Sequence, residues 1–298
     1  MLALARFIMA GPNQAALVAA VTALLAIILP PLAWLSGGVI SLVTLHLGER
    51  KGIQIMAYAS LGTAALSWLV FGTPLVAMVM ILLLWLPVWL VSWVLKRSVS
   101  LSLALQLITG LGVLLVLVLQ LVYPQLMLEQ GAVLKAAIEQ MMADQSSSAD
   151  KAELNRAVDM ALRWFPGIMA SGLLFGVVFS LLLGRGWQAA LYNPGGLARE
   201  FNQLRLGRIL SVTGLLLLVI AGVTSSDLVT MLVLVVLSIY LIQGLALVHG
   251  IIASKGINKA WLMGFYIMMF LLPHLVLMPL AVFGLTDTWI DFRKRLTV

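Results

Sequence analysis

The chain has 298 residues, 62% of them hydrophobic and 10% charged, with a mean hydropathy of +1.11. That composition excludes a soluble domain and specifies an all-α polytopic membrane protein: only helices or closed barrels satisfy backbone groups in lipid, and barrel strands would alternate polar and apolar residues. The net charge of +7, from 18 basic and 11 acidic residues, belongs first to topology and the lipid bilayer rather than to nucleic acid; without cysteine there is no disulfide, thiolate metal site or thiol chemistry.

The first apolar stretch, 14–48, holds one ionisable side chain, His46. As a single helix it would be roughly 50 Å long, against a hydrocarbon core of roughly 30 Å, so it must break. Pro30-Pro31 removes two amide donors and Gly37-Gly38 follows. The expectation is a full helix, an irregular turn over 30–38 and a short second helix over 39–47, ending in the charged turn Gly48-Glu49-Arg50-Lys51-Gly52. Ala15, Ala19 and Ala23 recur every four residues in the first helix, with Ala16 and Ala20 beside them. Such a face admits another helix backbone at close range, either a partner's or one within the chain. The apolar region after residues 1–12 is long enough to span the bilayer, so no cleavable leader is expected.

Further apolar segments at 53–70, 74–95, 101–122, 164–184, 209–223, 228–252 and 261–284 bring the expectation to eight or nine membrane segments. Lys and Arg collect in alternate loops, as the positive-inside rule requires. With the N-terminus inside, the inner loops hold Glu49, Arg50 and Lys51; Lys96 and Arg97; Arg185, Arg199, Arg205 and Arg208; and Lys255 and Lys259. The alternation fails only at the ninth segment, which would leave Arg293, Lys294 and Arg295 outside unless Pro273 and Pro279 divide it into two half-helices. Residues 123–163 read as an extracytoplasmic amphipathic helical hairpin, with Leu134, Ala137, Ile138 and Met141 on one arm and Leu154, Val158, Ala161 and Leu162 on the other. The organisation is thus a membrane half over 1–122, the hairpin, and a second membrane half over 164–298.

Within that second half, Asn193-Pro194-Gly195-Gly196 forms a turn in the cytoplasmic loop 185–208. Leu197, Phe201 and Leu204 then share one face of a short helix whose other face carries Arg199, Glu200 and Arg205. That pattern suits an anionic membrane surface or a cytoplasmic partner. Gly172, Gly176, Ser180 and Gly184 form a second ridge of small residues, expected to pack internally.

Four blocks together resemble the YybS-like family of uncharacterised bacterial integral membrane proteins. They are the alanine-rich first helix with Pro30-Pro31, Phe201-Asn202-Gln203-Leu204-Arg205, Gln243-Gly244-Leu245-Ala246-Leu247-Val248-His249, and the ending from Gly284-Leu285-Thr286-Asp287-Thr288 to Arg293-Lys294-Arg295. The first half is also distantly similar to the S components of energy-coupling factor transporters and to the cell-shape protein MreD. By that likeness Ala15, Ala19 and Ala23 would meet a partner's helices, and the chain would hold a small, vitamin-like molecule.

No phosphate loop, His-Glu-x-x-His or nucleophile elbow is present, so neither enzyme activity nor a cofactor is expected. His46, His249 and His274 are the candidate polar groups in the membrane, where ionisable side chains are uncommon. His274 is expected to be the deepest of them. The balance of features points to an inner-membrane scaffold with a membrane-protein partner or a second copy of itself, and the alternative is an S-component-like subunit with a small-molecule ligand.

Overall fold

A computed structural model describes residues 2–122, 148–258, 260–290 and 292–295, together with six positions between 132 and 140. The described residues form helices α1 (Leu2–Met9), α2 (Pro12–Leu25), α3 (Leu32–Leu47), α4 (Glu49–Phe71), α5 (Leu75–Ser98), α6 (Leu101–Leu121) and α7 (Ser148–Arg163). There follow α8 (Phe165–Tyr192), α9 (Gly196–Asn202), α10 (Arg208–Thr224), α11 (Asp227–Ser254), α12 (Ala260–Leu271), α13 (Pro273–Ile290) and α14 (Phe292–Arg295). Six of these are long and apolar enough to cross a membrane, namely α4, α5, α6, α8, α11 and α13, and α2, α3, α10 and α12 are shorter apolar helices. The second arm of the expected hairpin is α7, whose Val158 is buried and whose Asp159 accepts Lys135 Nζ at 2.6 Å. Most of the first arm, including Leu134, Ile138 and Met141, lies outside the described residues.

The opening stretch breaks where proline requires it, but the glycines behave differently from the expectation. The turn is confined to 26–31, and α3 begins at Leu32, directly after Pro31, where a missing amide costs no helical bond. Gly37 and Gly38 therefore sit inside a helix. They do so because α3 and α8 press together. A Cβ on Gly37 would lie 2.3 Å from Ser180 Oγ, and one on Gly184 would lie 2.4 Å from Ser41 Cβ and 2.8 Å from the Leu42 backbone nitrogen. The second small-residue ridge is thus internal at Gly184 and Ser180, and every residue from Ser36 to Leu45 is buried. The short second helix expected at 39–47 is instead the buried axis of the first half, 16 residues long.

The alanine ridge also faces inward, which corrects its reading as a surface for an outside partner. Ala15 is 1% exposed and Ala19 and Ala23 are 0% exposed, because α2 packs on α3 and α4 through that face. Ser36 Oγ donates to the Ala19 carbonyl at 2.7 Å, a backbone approach that only a small side chain allows, and Trp85 Nε1 donates to Ser36 Oγ at 2.9 Å. Trp85 closes a π-helical stretch, Ile81–Trp85, within α5. That wider turn lies just before Pro87 and accommodates the amide which proline lacks.

In the second half α11 is the central helix, and α13 runs parallel to it. Their backbones meet at two glycines: a Cβ on Gly244 would be 2.2 Å from the Leu280 carbonyl oxygen, and one on Gly284 would be 2.1 Å from that of Tyr240. The last apolar segment is not one span. It breaks before Pro273, so α12 and α13 form a hairpin and the tail returns to the end of the bundle that carries the loop 203–207. Arg293 Nη2 donates to the Leu204 carbonyl there at 3.0 Å. That end also holds the ion pair of Arg97 with Glu49 at 2.9 Å and the bond from Lys96 Nζ to the His46 carbonyl at 3.1 Å. It is called the basic end below.

Candidate functional site

The polar chemistry of the chain concentrates around one short loop at the basic end. Residues 203–207 follow α9, and Gly207, at φ 81°, turns the chain into α10. Leu204 and Leu206 are buried at 3% and 0% exposure, so the loop is drawn into the bundle and its backbone groups need partners there. Each is supplied from a different element. Gln243 Oε1 accepts the Leu206 amide at 2.8 Å, while its Nε2 donates to the Gly284 carbonyl at 2.7 Å and to Thr288 Oγ1 at 3.2 Å. Ser102 Oγ donates to the Arg205 carbonyl at 2.5 Å. One glutamine in the middle of α11 thereby ties together the loop, α11 and α13.

Two ion pairs flank this hub. Asp287 is fully buried; its Oδ1 accepts the Phe292 amide at 3.2 Å, and its Oδ2 lies 3.5 Å from Arg293 Nη2, the nitrogen that also binds Leu204. On the other flank, Arg185, 7% exposed, grips Glu200 with two nitrogens, one of them Nε at 3.0 Å from Oε2, and Nη1 also reaches Gln188. Forked guanidinium–carboxylate contacts of this kind fix orientation as well as charge. Glu200 is thus turned toward the bundle.

The expected amphipathic segment is corrected accordingly. The helix stops at Asn202, so Leu204 and Arg205 never join its faces. Arg199 is exposed, whereas Phe201 and Arg205 are half-buried. The loop's need for internal hydrogen bonds outweighs the helical periodicity that the residue pattern suggests.

The three histidines do not meet. His46 stacks on Tyr192, with ring centroids 3.7 Å apart and planes 11° from parallel. His249 Nε2 bonds Tyr266 OH at 2.8 Å, and its ring meets Phe201 edge-on at 5.6 Å. His274, expected to be the deepest, is exposed in the first turn of α13, since Pro273 makes that turn the tip of the helical hairpin. No group of three or more His, Cys, Asp or Glu side chains is placed to share a metal among the described residues.

Three stretches singled out in the sequence converge here: 201–205, 243–249 and 284–295. The roles of Asp287 and Arg293 are not legible from periodicity, because the apolar run ends at Gly284 while the helix continues to Ile290. An acid flanked by two threonines one turn beyond an apolar segment was the available signal.

A bundle of apolar helices closed at one end by buried polar bonds defines a polytopic helical membrane protein. The chain belongs to the family described as predicted membrane protein (DUF2232), whose profile matches residues 17–288, from α2 to α13 and including Gln243 and Asp287. No curated protein and no solved structure matches it.

Proposed function

We propose that this protein is a scaffold or assembly factor of the bacterial inner membrane, without catalytic activity, that works through helix–helix and membrane-surface contacts. The observation that carries the reading is how the polar groups between the helices are used. Ser36, Ser41, Ser92, Thr109 and Gln243 bond within the chain and so serve packing rather than a solute, whereas Thr63 Oγ1, Ser180 Oγ and Trp187 Nε1 are buried without a bond among the described residues. The cleft between α5, α6 and α8, about 250 Å³, is walled by apolar side chains, among them Leu82, Ile108, Leu115, Leu174 and Val177. A carrier of a polar solute requires a few convergent polar groups in such a space. Under the positive-inside rule the basic end faces the cytoplasm, with the N-terminus inside. Exposed Arg199, Arg208 and Lys255 are then the groups offered to a membrane surface or a partner.

The second reading is a substrate-binding subunit of a vitamin-like transporter. It is favoured by the proline break after α2 and the glycine turn into α4, and opposed by the burial of Ala15, Ala19 and Ala23. Native mass spectrometry of the protein taken from its own membrane in mild detergent separates the two. A stoichiometric protein subunit, or a second copy of this chain, is the expected result. A stoichiometric water-soluble small molecule on the monomer would overturn the scaffold reading.

A further inference from the structure

Helix α5 is fastened along only part of its length. From Trp85 to the basic end, side-chain bonds tie it to its neighbours: Trp85 Nε1 to Ser36 Oγ at 2.9 Å, Ser92 Oγ to Ser41 Oγ at 2.9 Å, Trp89 Nε1 to the Glu49 carbonyl at 3.1 Å and Lys96 Nζ to the His46 carbonyl at 3.1 Å. Val88, Val91 and Leu95 are buried beside them. The far part, Leu75–Met80, has apolar side chains only, and Ala77 alone among them is buried. It stands between two clefts. On one side Leu75, Ala77 and Met78 share a cleft of about 780 Å³ with Ala57, Leu61 and Ala64 of α4. On the other, Val79 and Met80 share one of about 170 Å³ with Trp34, Gly172 and Gly176. In lipid an apolar segment that leaves its neighbours for acyl chains gives up packing but no hydrophobic burial, so this part is held weakly.

Both ends of this segment are jointed. Gly72, at φ 70°, closes α4 shortly before it. After it, the Leu86 amide bonds the Ile81 carbonyl five residues back, and Pro87 offers no amide to the Leu83 carbonyl. Wide turns and prolines are where helices bend. We infer that α5 is articulated: Leu75–Met80 swings as one arm about the joint at 81–87, while the helix from Val88 onward stays fixed. Toward α4 the arm closes the larger cleft; toward α3 and α8 it covers Gly172 and Gly176. A Cβ on Gly172 would meet nothing within 4 Å, so the arm governs whether this smooth stretch of α8 is open to the surrounding membrane. The inference goes beyond the scaffold reading and stands or falls independently of it, since it requires no protein partner.

The test uses the intact chain in lipid nanodiscs, spin-labelled at cysteine pairs, since the chain has no cysteine of its own. Met78→Cys with Ile168→Cys reports the arm against α8; Val99→Cys with Ala190→Cys reports the fixed end of α5 against the same helix, and all four positions are exposed. A bend of about 20° over an arm of about 14 Å, from Met78 to Pro87, displaces Met78 by about 5 Å. Double electron–electron resonance should therefore give the arm pair a distance distribution about 5 Å wider than the control pair. Ala64→Phe, which wedges the cleft on the α4 side, and Pro87→Ala, which returns an amide to the joint, should each narrow it to the control width. If Pro87→Ala is not monodisperse, Ala64→Phe decides alone. Equal widths for the two pairs without these substitutions overturn the inference, and so does a wide arm distribution that neither substitution narrows.

Discussion

The closest backbone contact in the second half gives the sharpest test of the architecture. In Gly284→Ala the new Cβ would lie 2.1 Å from the Tyr240 carbonyl oxygen and 2.7 Å from the Gly244 nitrogen, about 1.3 Å inside an ordinary 3.4 Å contact. Both obstacles are backbone atoms of α11, so no rotamer relieves the clash and α13 must move as a body. Overpacking of a tight contact costs about 1–3 kcal/mol. Displacement also strains the 2.7 Å bond from Gln243 Nε2 to the Gly284 carbonyl, worth about a further 1 kcal/mol. The expected loss is therefore about 2–4 kcal/mol in all. Denaturing-detergent titration in mixed micelles, followed by far-ultraviolet circular dichroism, should show the midpoint fall. Hydrogen exchange at the Leu206 amide should rise with it, because Gln243 can no longer hold both partners. Gly264→Ala is the control: nothing lies within 4 Å of its Cβ, and replacing glycine in a helix interior is worth about 0.5–1 kcal/mol in favour of alanine. If Gly284→Ala matches Gly264→Ala in midpoint and in Leu206 protection, the parallel crossing of α11 and α13 is wrong.

Ala19→Leu adds bulk to a fully buried position against α3 and should lower monomer stability by about 1–3 kcal/mol in the same titration; an unchanged midpoint would return the ridge to the outer surface. Gln243→Leu strands the buried Leu206 amide, while the Gly284 carbonyl keeps its bond within α13, so a loss of about 1–3 kcal/mol and faster proteolysis within 203–207 are expected. Arg293→Met removes the guanidinium 3.5 Å from the buried Asp287 carboxylate, at a cost of about 3–5 kcal/mol, and Asp287→Leu in the same chain should restore part of it; additive losses would show that the pair is not coupled. Because the chain has no cysteine, single cysteines at Leu29 and Val99, 59% and 80% exposed, can be labelled with an impermeant thiol reagent. They should react from opposite sides of the membrane, and Lys255→Cys should side with Val99; labelling of Leu29 and Val99 from one side would refute the topology.

Composition and local chemistry determine the class of the protein and most of its segments. The backbone's need for hydrogen bonds in lipid makes an apolar run helical wherever it stands, and proline removes an amide donor, so the break at Pro30-Pro31 and the division before Pro273 are written in the chain, although α5 and α13 run on through Pro87 and Pro279. Segment ends were less legible: α13 continues to Ile290 because Asp287 and Thr288 find partners on the neighbouring α11 and the tail, which no local pattern displays. The same limit applies to small residues. Ala19, Gly37 and Gly184 permit a close approach equally well to a helix of the same chain or of another, since a smooth face has no address of its own. Packing alone decides that α3 and α8 take these faces. The polar lock at the basic end belongs to tertiary structure for a related reason. Leu206, Gln243 and Gly284 lie far apart along the chain, as do Leu204 and Arg293, and their bonds exist only once α11 and α13 have crossed, when burial leaves each donor and acceptor with the others as its alternative to water.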